Sequence, residues 1–252
     1  MEENIENKDF IKIEVSQPKL IRIFISSILF YIVALFLWRQ GSLENAIVIN
    51  FNYVYKDEVS LRFYKLFTQY GMPLITVIFA CLLSFSFIVE KLRSERPLFY
   101  LILFLFLLTT VGGDLLKELI DRARPAVSLA EQIANKQISL SPAFPSGHAA
   151  KSMALALPIV LLASRRSNII IVAKILLLLV AILVCYSRIA LQAHFLSDVI
   201  AGVGTALFFI PFAIWVTNKY FIARKIDEFK INQLSRKLVI IFILLSVILC
   251  IM

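Results

Sequence analysis

Residues 169–216 read IIIVAKILLLLVAILVCYSRIALQAHFLSDVIAGVGTALFFIPFAIWV. Two runs in it, Ile169 to Tyr186 and Val199 to Val216, are apolar almost throughout, and each has the length of a membrane-spanning helix. Between them lies one short polar connection, Ser187 to Ser197, followed at once by Asp198. Two spans joined at one surface of a bilayer is the reading of this stretch, and the rest of the chain extends it.

Working outward, apolar runs recur at Leu20 to Trp38, Met72 to Val89, Pro97 to Leu116 and Ala149 to Ala163. The short run at Ala149 is expected to borrow its outer turn from the residues around His148. A seventh run, Leu238 to Met252, would cover only about 22 Å at the helical rise. It reads as a terminal span with a frayed end or as a helix only partly inserted. Composition agrees: 60% of the 252 residues are apolar, 17% are charged and the mean hydropathy is +0.85, far from an ordinary soluble domain. The expected fold is all-α, a polytopic membrane helical bundle of six core transmembrane helices with a short seventh apolar segment. Residues 1–252 form a single domain: a polar cytoplasmic N-terminus (1–19), a six-span core (20–216), then an amphipathic segment and a C-terminal apolar helix (217–252).

The net charge of +9 does not point to nucleic acid, because no basic run sits on a polar domain that could meet one. The basic residues gather beside apolar segments, as in cytoplasmic loops that contact anionic lipid headgroups. Cys81, Cys185 and Cys250 lie in apolar stretches without CxxC spacing and read as small core residues. The N-terminus, MEENIENKDF, is acidic where a secretory signal would be basic and then apolar, so targeting is expected to rest on the first span.

Sidedness follows from Lys and Arg in the connections. Lys91, Arg93 and Arg96, then Arg165 and Arg166, then Lys219 to Lys237 fall on one side, together with the N-terminal lysines, and that side should be the cytoplasm. Only three connections face outward: Arg39 to Gly71, Lys117 to Gly147, and Ser187 to Ser197. The first carries Phe51, Tyr53, Tyr55, Phe63, Tyr64, Phe67 and Tyr70 at spacings that suit a helix in the interface. The segment Tyr220 to Lys237 alternates apolar and charged residues, as an amphipathic surface helix or an extension of the sixth span would.

Three polar clusters fall in these outward connections. In the first, Lys117 and Arg124 are seven residues apart and would share a helix face, with Pro125 turning Arg124 toward a loop. Asp114 and Asp121 lie three before and four after Lys117 and could pair with it; Arg122 lies beside them. The second is Pro145, Ser146, Gly147 and His148. Ser146 suits an N-cap, and the helix start offers backbone N–H groups to an anion. The third holds Ser187, Arg188, His194 and Asp198. His194 and Asp198, four apart, would lie within hydrogen-bond reach on the helix entering the sixth span, the acid fixing the tautomer of the ring. The chain has two histidines, and both sit in these clusters. Gly112 and Gly113 are expected to permit close helix packing.

With these residues in place the sequence resembles the type 2 phosphatidic acid phosphatases, whose catalytic core is related to vanadium haloperoxidases and bacterial acid phosphatases. The signature of that family, KxxxxxxRP, PSGH and SRxxxxxHxxxD, stands complete as Lys117 to Pro125, Pro145 to His148, and Ser187 to Asp198. The resemblance implies that His194 attacks phosphorus to give a phosphohistidine, with Asp198 orienting the ring. It implies that His148 protonates the leaving oxygen and later helps water hydrolyse the intermediate. Lys117, Arg124 and Arg188, the Ser146 hydroxyl and the Gly147 amide would bind the nonbridging oxygens.

No metal, cofactor or obligate protein partner is expected; the partners are the lipid phosphate substrate and the membrane lipids. The expected location is a bacterial cytoplasmic membrane, with the site facing the periplasm or exterior. A lipid phosphotransferase would use the same residues. A lipid transporter would favour discontinuous spans at mid-membrane, whereas the polar residues here cluster at one face. A haloperoxidase would not need so many spans, and a serine hydrolase would carry GxSxG. The family suggests undecaprenyl diphosphate, phosphatidylglycerol phosphate, phosphatidic acid or lipid A phosphates as substrate. Selectivity among them is expected in residues 126–144 and in the Arg39 to Gly71 connection.

Overall fold

The computed structural model describes residues 13–53, 62, 96–125, 141–162 and 168–223. Its elements are α1 (Gln17–Arg39), α2 (Gly41–Tyr53), α3 (Arg96–Ile120), α4 (Gly147–Leu162), α5 (Asn168–Ala190) and α6 (Leu196–Ala223), and no strand occurs among the described residues. Among the described residues four stretches are long and apolar enough to cross a membrane: Gln17–Arg39, Pro97–Ile120, Ile171–Ala190 and Leu196–Lys219. The apolar helix α4 is shorter, as the sequence leads one to expect. Five of the six expected core spans therefore fall on observed helices. The run Met72 to Val89, the C-terminal run Leu238 to Met252 and most of the amphipathic segment lie outside the described residues. In the Arg39 to Gly71 connection, α2 occupies the first part; the aromatic residues beyond Tyr53 also lie outside.

Helix α6 is the centre of the bundle, packed by α1, α3 and α4, with α4 also touching α3 and α5. Small residues explain that position: Ala201, Thr205, Ala206 and Ala213 on α6 are fully buried, so neighbouring backbones can approach closely. Where α3 meets α6, a side chain at Gly112 would run into the ring of Phe209. At Gly113, which is buried, no described residue lies within 4 Å of the position of its missing Cβ, so among the described residues only Gly112 of the pair meets a neighbour. The Thr205 hydroxyl donates to the Ala201 carbonyl at 2.8 Å, which leaves it to accept from Tyr31 at 2.7 Å and join α6 to α1.

The outer surface is apolar. Leu119 is 81% exposed and Val111 61%, and α1 alone leaves Ile21, Leu29, Ile32 and Phe36 uncovered. Water would not sustain such a belt, whereas lipid tails cover it. This surface, with the long apolar helices, makes the chain an integral membrane protein. One end of the bundle joins the segment before α1 to the ends of α4 and α6. Asn218 bonds both backbone groups of Ile13, at 3.0 and 3.1 Å, and the Lys19 ammonium bonds the Leu161 carbonyl at 2.7 Å. The opposite end collects residues 117–125, 141–148 and 187–198, which hold the signature clusters.

A glycine couples α6 to that second end. A Cβ at Gly202 would lie 2.6 Å from the Ser146 carbonyl oxygen and 2.9 Å from the Ala149 Cβ, so the helix can seat the segment before α4 only without a side chain there. Gly202→Ala is expected to destabilise the protein by about 1–3 kcal/mol through overpacking. Gly113→Ala, within a helix and clear of every described residue, is expected to gain roughly 0.5–1 kcal/mol. Thermal unfolding of the two variants in detergent should move in opposite directions.

Candidate active site

The polar end is assembled by backbone bonds between segments distant in sequence. Ala143 N–H donates to the Arg122 carbonyl at 2.7 Å, and Ser146 N–H donates to the Asp198 carbonyl at 2.9 Å. Each of the three clusters is thereby tied to another.

In the first cluster Arg124 leaves the helix, as Pro125 leads one to expect, but the helix ends earlier, at Ile120. Helix α3 ends at Ile120, because Asp121 turns into the left-handed region (φ 46°) and its N–H closes the last turn on the Lys117 carbonyl at 2.8 Å. Arg124 is therefore not on a helix face shared with Lys117. It lies in a non-helical segment, where its guanidinium bonds the Ser141 carbonyl (2.9 Å), the Ser141 hydroxyl (2.8 Å) and the Ala193 carbonyl (2.9 Å). It ties its own segment to Ser141 and to the third cluster and retains donors for a ligand, since a guanidinium carries five N–H groups and three bonds are made. Lys117 remains on the last turn of α3, 3.4 Å from Asp114. Of the two acids that could support it, Asp114 does so while Asp121 shapes the helix end. The Lys117 ammonium lies 3.2 Å from where a Gly147 Cβ would be, over the N-terminus of α4. A side chain at Gly147 would press on that cation.

Ser146 occupies the residue before α4, and its carbonyl accepts from Ala150 N–H at 3.0 Å, as an N-cap should. Its hydroxyl, however, is buried and makes no hydrogen bond. A cap bond would have consumed it; unbonded, it is available to an anion at the helix N-terminus.

The third cluster is set by the end of α5. Gln192, with φ 49°, takes the left-handed conformation, and its N–H bonds the Ile189 carbonyl at 2.8 Å. The Arg188 carbonyl accepts from Ala193 (3.0 Å) and His194 (3.2 Å), so the chain folds back over its own helix end. That turn carries His194 inward to 2% exposure, next to Arg188 on the last turn of α5. The Ser187 hydroxyl bonds the Val184 carbonyl of its own helix at 2.7 Å.

His194 and Asp198 do not share a helix, as the four-residue spacing suggested, because α6 begins only at Leu196. The ring Nδ1 and Asp198 Oδ2 are 3.6 Å apart, too far for a hydrogen bond, and Nδ1 is buried without a partner. Both carboxylate oxygens are engaged: Oδ2 accepts from Phe195 N–H at 2.9 Å, and Oδ1 from Arg122 at 2.6 Å. Asp198 thus caps α6 and faces the imidazole at once.

Arg122 and Glu44 enlarge the site beyond the motif positions. The Arg122 guanidinium lies between the rings of Trp38 (4.6 Å) and Phe195 (4.4 Å) and bonds Asp198, the Ser197 hydroxyl (2.6 Å) and Glu44 (2.5 Å). The second Glu44 oxygen accepts from Ser197 N–H at 3.0 Å. Glu44, Arg122 and Asp198 are all buried. The sequence reading missed Glu44, whose partner stands 78 residues away. The available signal was an acid at a membrane edge, which must find a countercharge.

The electrostatics converge on the histidines. Burial, then the positive charges of Arg188, Arg124 and Lys117, hold the His194 imidazole well below the ordinary histidine range, with the backbone of Ala143 acting the other way. It is therefore neutral at neutral pH, with a lone pair to offer. The charges facing His148 are those of Arg188, Lys151 and Lys117, with His194 also near. Arg188 and Lys117 act on both rings, so the structure brings the expected site residues into one cluster.

The chain matches the family model described as PAP2 superfamily over residues 96–222, half of its length. Its structure is similar to the crystal structure of the first transmembrane PAP2 type phosphatidylglycerolphosphate phosphatase from Bacillus subtilis. The TM-score is 0.55 and the identity 23%, over 82% of this chain and 98% of that one. Among curated proteins no match was found. The family model, which takes in α3 to α6 and with them both histidines and all three cations, decides the identity: this chain is a member of the PAP2 superfamily, the type 2 phosphatidic acid phosphatases.

Proposed function

We propose that the chain is a metal-independent lipid phosphate phosphatase that works through a phosphohistidine on His194, at the outer face of a bacterial cytoplasmic membrane. The observation that carries this reading is a buried neutral imidazole set among Arg188, Arg124 and Lys117, beside the unbonded hydroxyl of Ser146. A cluster with three cations suits an anionic group, and a phosphate with three acceptor oxygens fits it. The unsubstituted nitrogen of His194 attacks phosphorus in line, and the P–O bond to the lipid breaks with its electron pair on the lipid oxygen. His148 gives that oxygen a proton and afterwards takes one from the attacking water. As His194 becomes cationic, its Nδ1–H gains the Asp198 carboxylate as an acceptor across a gap that is 3.6 Å at rest.

Metal independence rests on the donor set: the histidines have roles in proton and phosphoryl transfer, and three cations already offset the charge of the phosphate. Facing outward at membrane depth, the site suits a lipid headgroup. Phosphatidylglycerol phosphate, undecaprenyl diphosphate, phosphatidic acid and lipid A phosphates form the test panel. Purified protein in detergent is expected to release phosphate from at least one of them, and to continue in excess EDTA. Activity lost in EDTA and restored by a divalent ion would overturn the metal-independent reading.

A further inference from the structure

Lys151 belongs to none of the three motifs, yet it lies three residues after His148 on α4, where i and i+3 share a face. That face is open: Gly147, His148 and Lys151 are half-buried, while Ala149, Ala150 and Ser152 to Ala156 are buried. Helix α4 starts at the polar end and runs into the bundle, so Lys151 is about 4.5 Å further along the axis than His148 at the helical rise. Among the described residues no hydrogen bond or ion pair holds its ammonium, although its charge reaches the His148 ring. A cation one turn inside a membrane helix is costly unless it has a counterion or leads to water.

We infer that Lys151 is the binding site for a second, retained phosphate of the substrate, so that the enzyme favours lipids carrying two phosphate groups in series over simple lipid monophosphates. This rests on the proposed reaction, in which His148 stands on the leaving-group side. The lipid must descend from the scissile bond into the bilayer, past the level of Lys151. In phosphatidic acid the group at that level is a neutral glycerol ester. In a lipid diphosphate, or in a phosphodiester bearing a terminal phosphate, it is an anion. When attack on the terminal phosphorus breaks a diphosphate, the P–O pair stays on the bridging oxygen. The lipid monophosphate then gains negative charge unless His148 protonates it, and Lys151 offsets that charge in the transition state. Snorkelling of Lys151 toward headgroups would account for its partial exposure, but not for its place on the His148 face.

The test has two arms. In the turnover arm, the ratio of kcat/KM for undecaprenyl diphosphate to that for phosphatidic acid is expected to fall about 10- to 100-fold in Lys151→Gln, the range of one charge-assisted hydrogen bond, and to recover in Lys151→Arg. In the binding arm, full-length protein in detergent is titrated calorimetrically with methylenediphosphonate and with methylphosphonate, neither of which turns over. Wild type should prefer the diphosphonate, and Lys151→Gln should lose most of that preference. Unchanged ratios in both arms would overturn the inference while leaving the phosphatase reading intact. If wild type hydrolyses no lipid, the phosphatase reading fails, and the binding arm still decides whether Lys151 holds a second phosphate.

Discussion

Replacing His194 with alanine is expected to lower phosphate release by about 1,000-fold or more, since removal of an activated nucleophile leaves only binding and electrostatic stabilisation. The mutant should also fail to retain radiolabelled phosphate after an acid-free quench, because the covalent intermediate has nowhere to form. His148→Ala separates the two roles. A lipid alkoxide is a poor leaving group and needs the proton that His148 gives, whereas p-nitrophenolate leaves without one. With p-nitrophenyl phosphate, His148→Ala should form the phosphoenzyme close to the wild-type rate and then stall, because hydrolysis still needs a base. Label should accumulate in that variant and be absent from His194→Ala. Full turnover by His194→Ala would remove the mechanism, and accumulation in neither variant would place the covalent step elsewhere.

Such a prediction could be framed from the sequence, because the chemistry is local in sequence while the fold is written in hydropathy. Spans long enough to cross a bilayer announce themselves, and α1, α3, α5 and α6 each extend an apolar run that the sequence marks. Where side-chain spacing was projected onto helices, the projection held only as far as the helix did. Lys117 and Asp114 pair because both lie on α3, whereas the Lys117–Arg124 face dissolves once Asp121 adopts positive φ. The His194–Asp198 spacing failed in the same way, since the turn at Gln192 and the late start of α6 set a geometry that no periodicity encodes. Ser146 was legible as an N-cap by position but not by bond, because whether its hydroxyl caps depends on rotamer and surroundings. Glu44 was legible only as an acid at a membrane edge, without its partner. Its meaning depends on Arg122 lying between Trp38 and Phe195, a contact of residues that are remote in the chain.

Arg122→Leu is accordingly expected to cost about 3–5 kcal/mol of stability, because it leaves the buried carboxylates of Glu44 and Asp198 without their shared cation. Glu44→Leu removes one anion but leaves Arg122 bonded to Asp198 and Ser197, so its cost should be smaller. In the double variant one carboxylate remains where the single Arg122 variant has two. The double loss should therefore be less than the sum of the single losses, by roughly 0.5–3 kcal/mol. Thermal unfolding of the four proteins in one detergent measures this cycle, and strict additivity would mean that the pair is not coupled. The same contacts bear on the reaction. Arg122 holds Oδ1 of Asp198 while Phe195 N–H holds Oδ2, which fixes the carboxylate against the imidazole. Glu44 holds Arg122 and the Ser197 N–H, so α2 is braced on the first turn of α6. Glu44→Gln keeps the shape and removes the charge. It should therefore lower kcat more than it raises KM, because the orientation of Asp198 matters once His194 becomes cationic and not when substrate first binds.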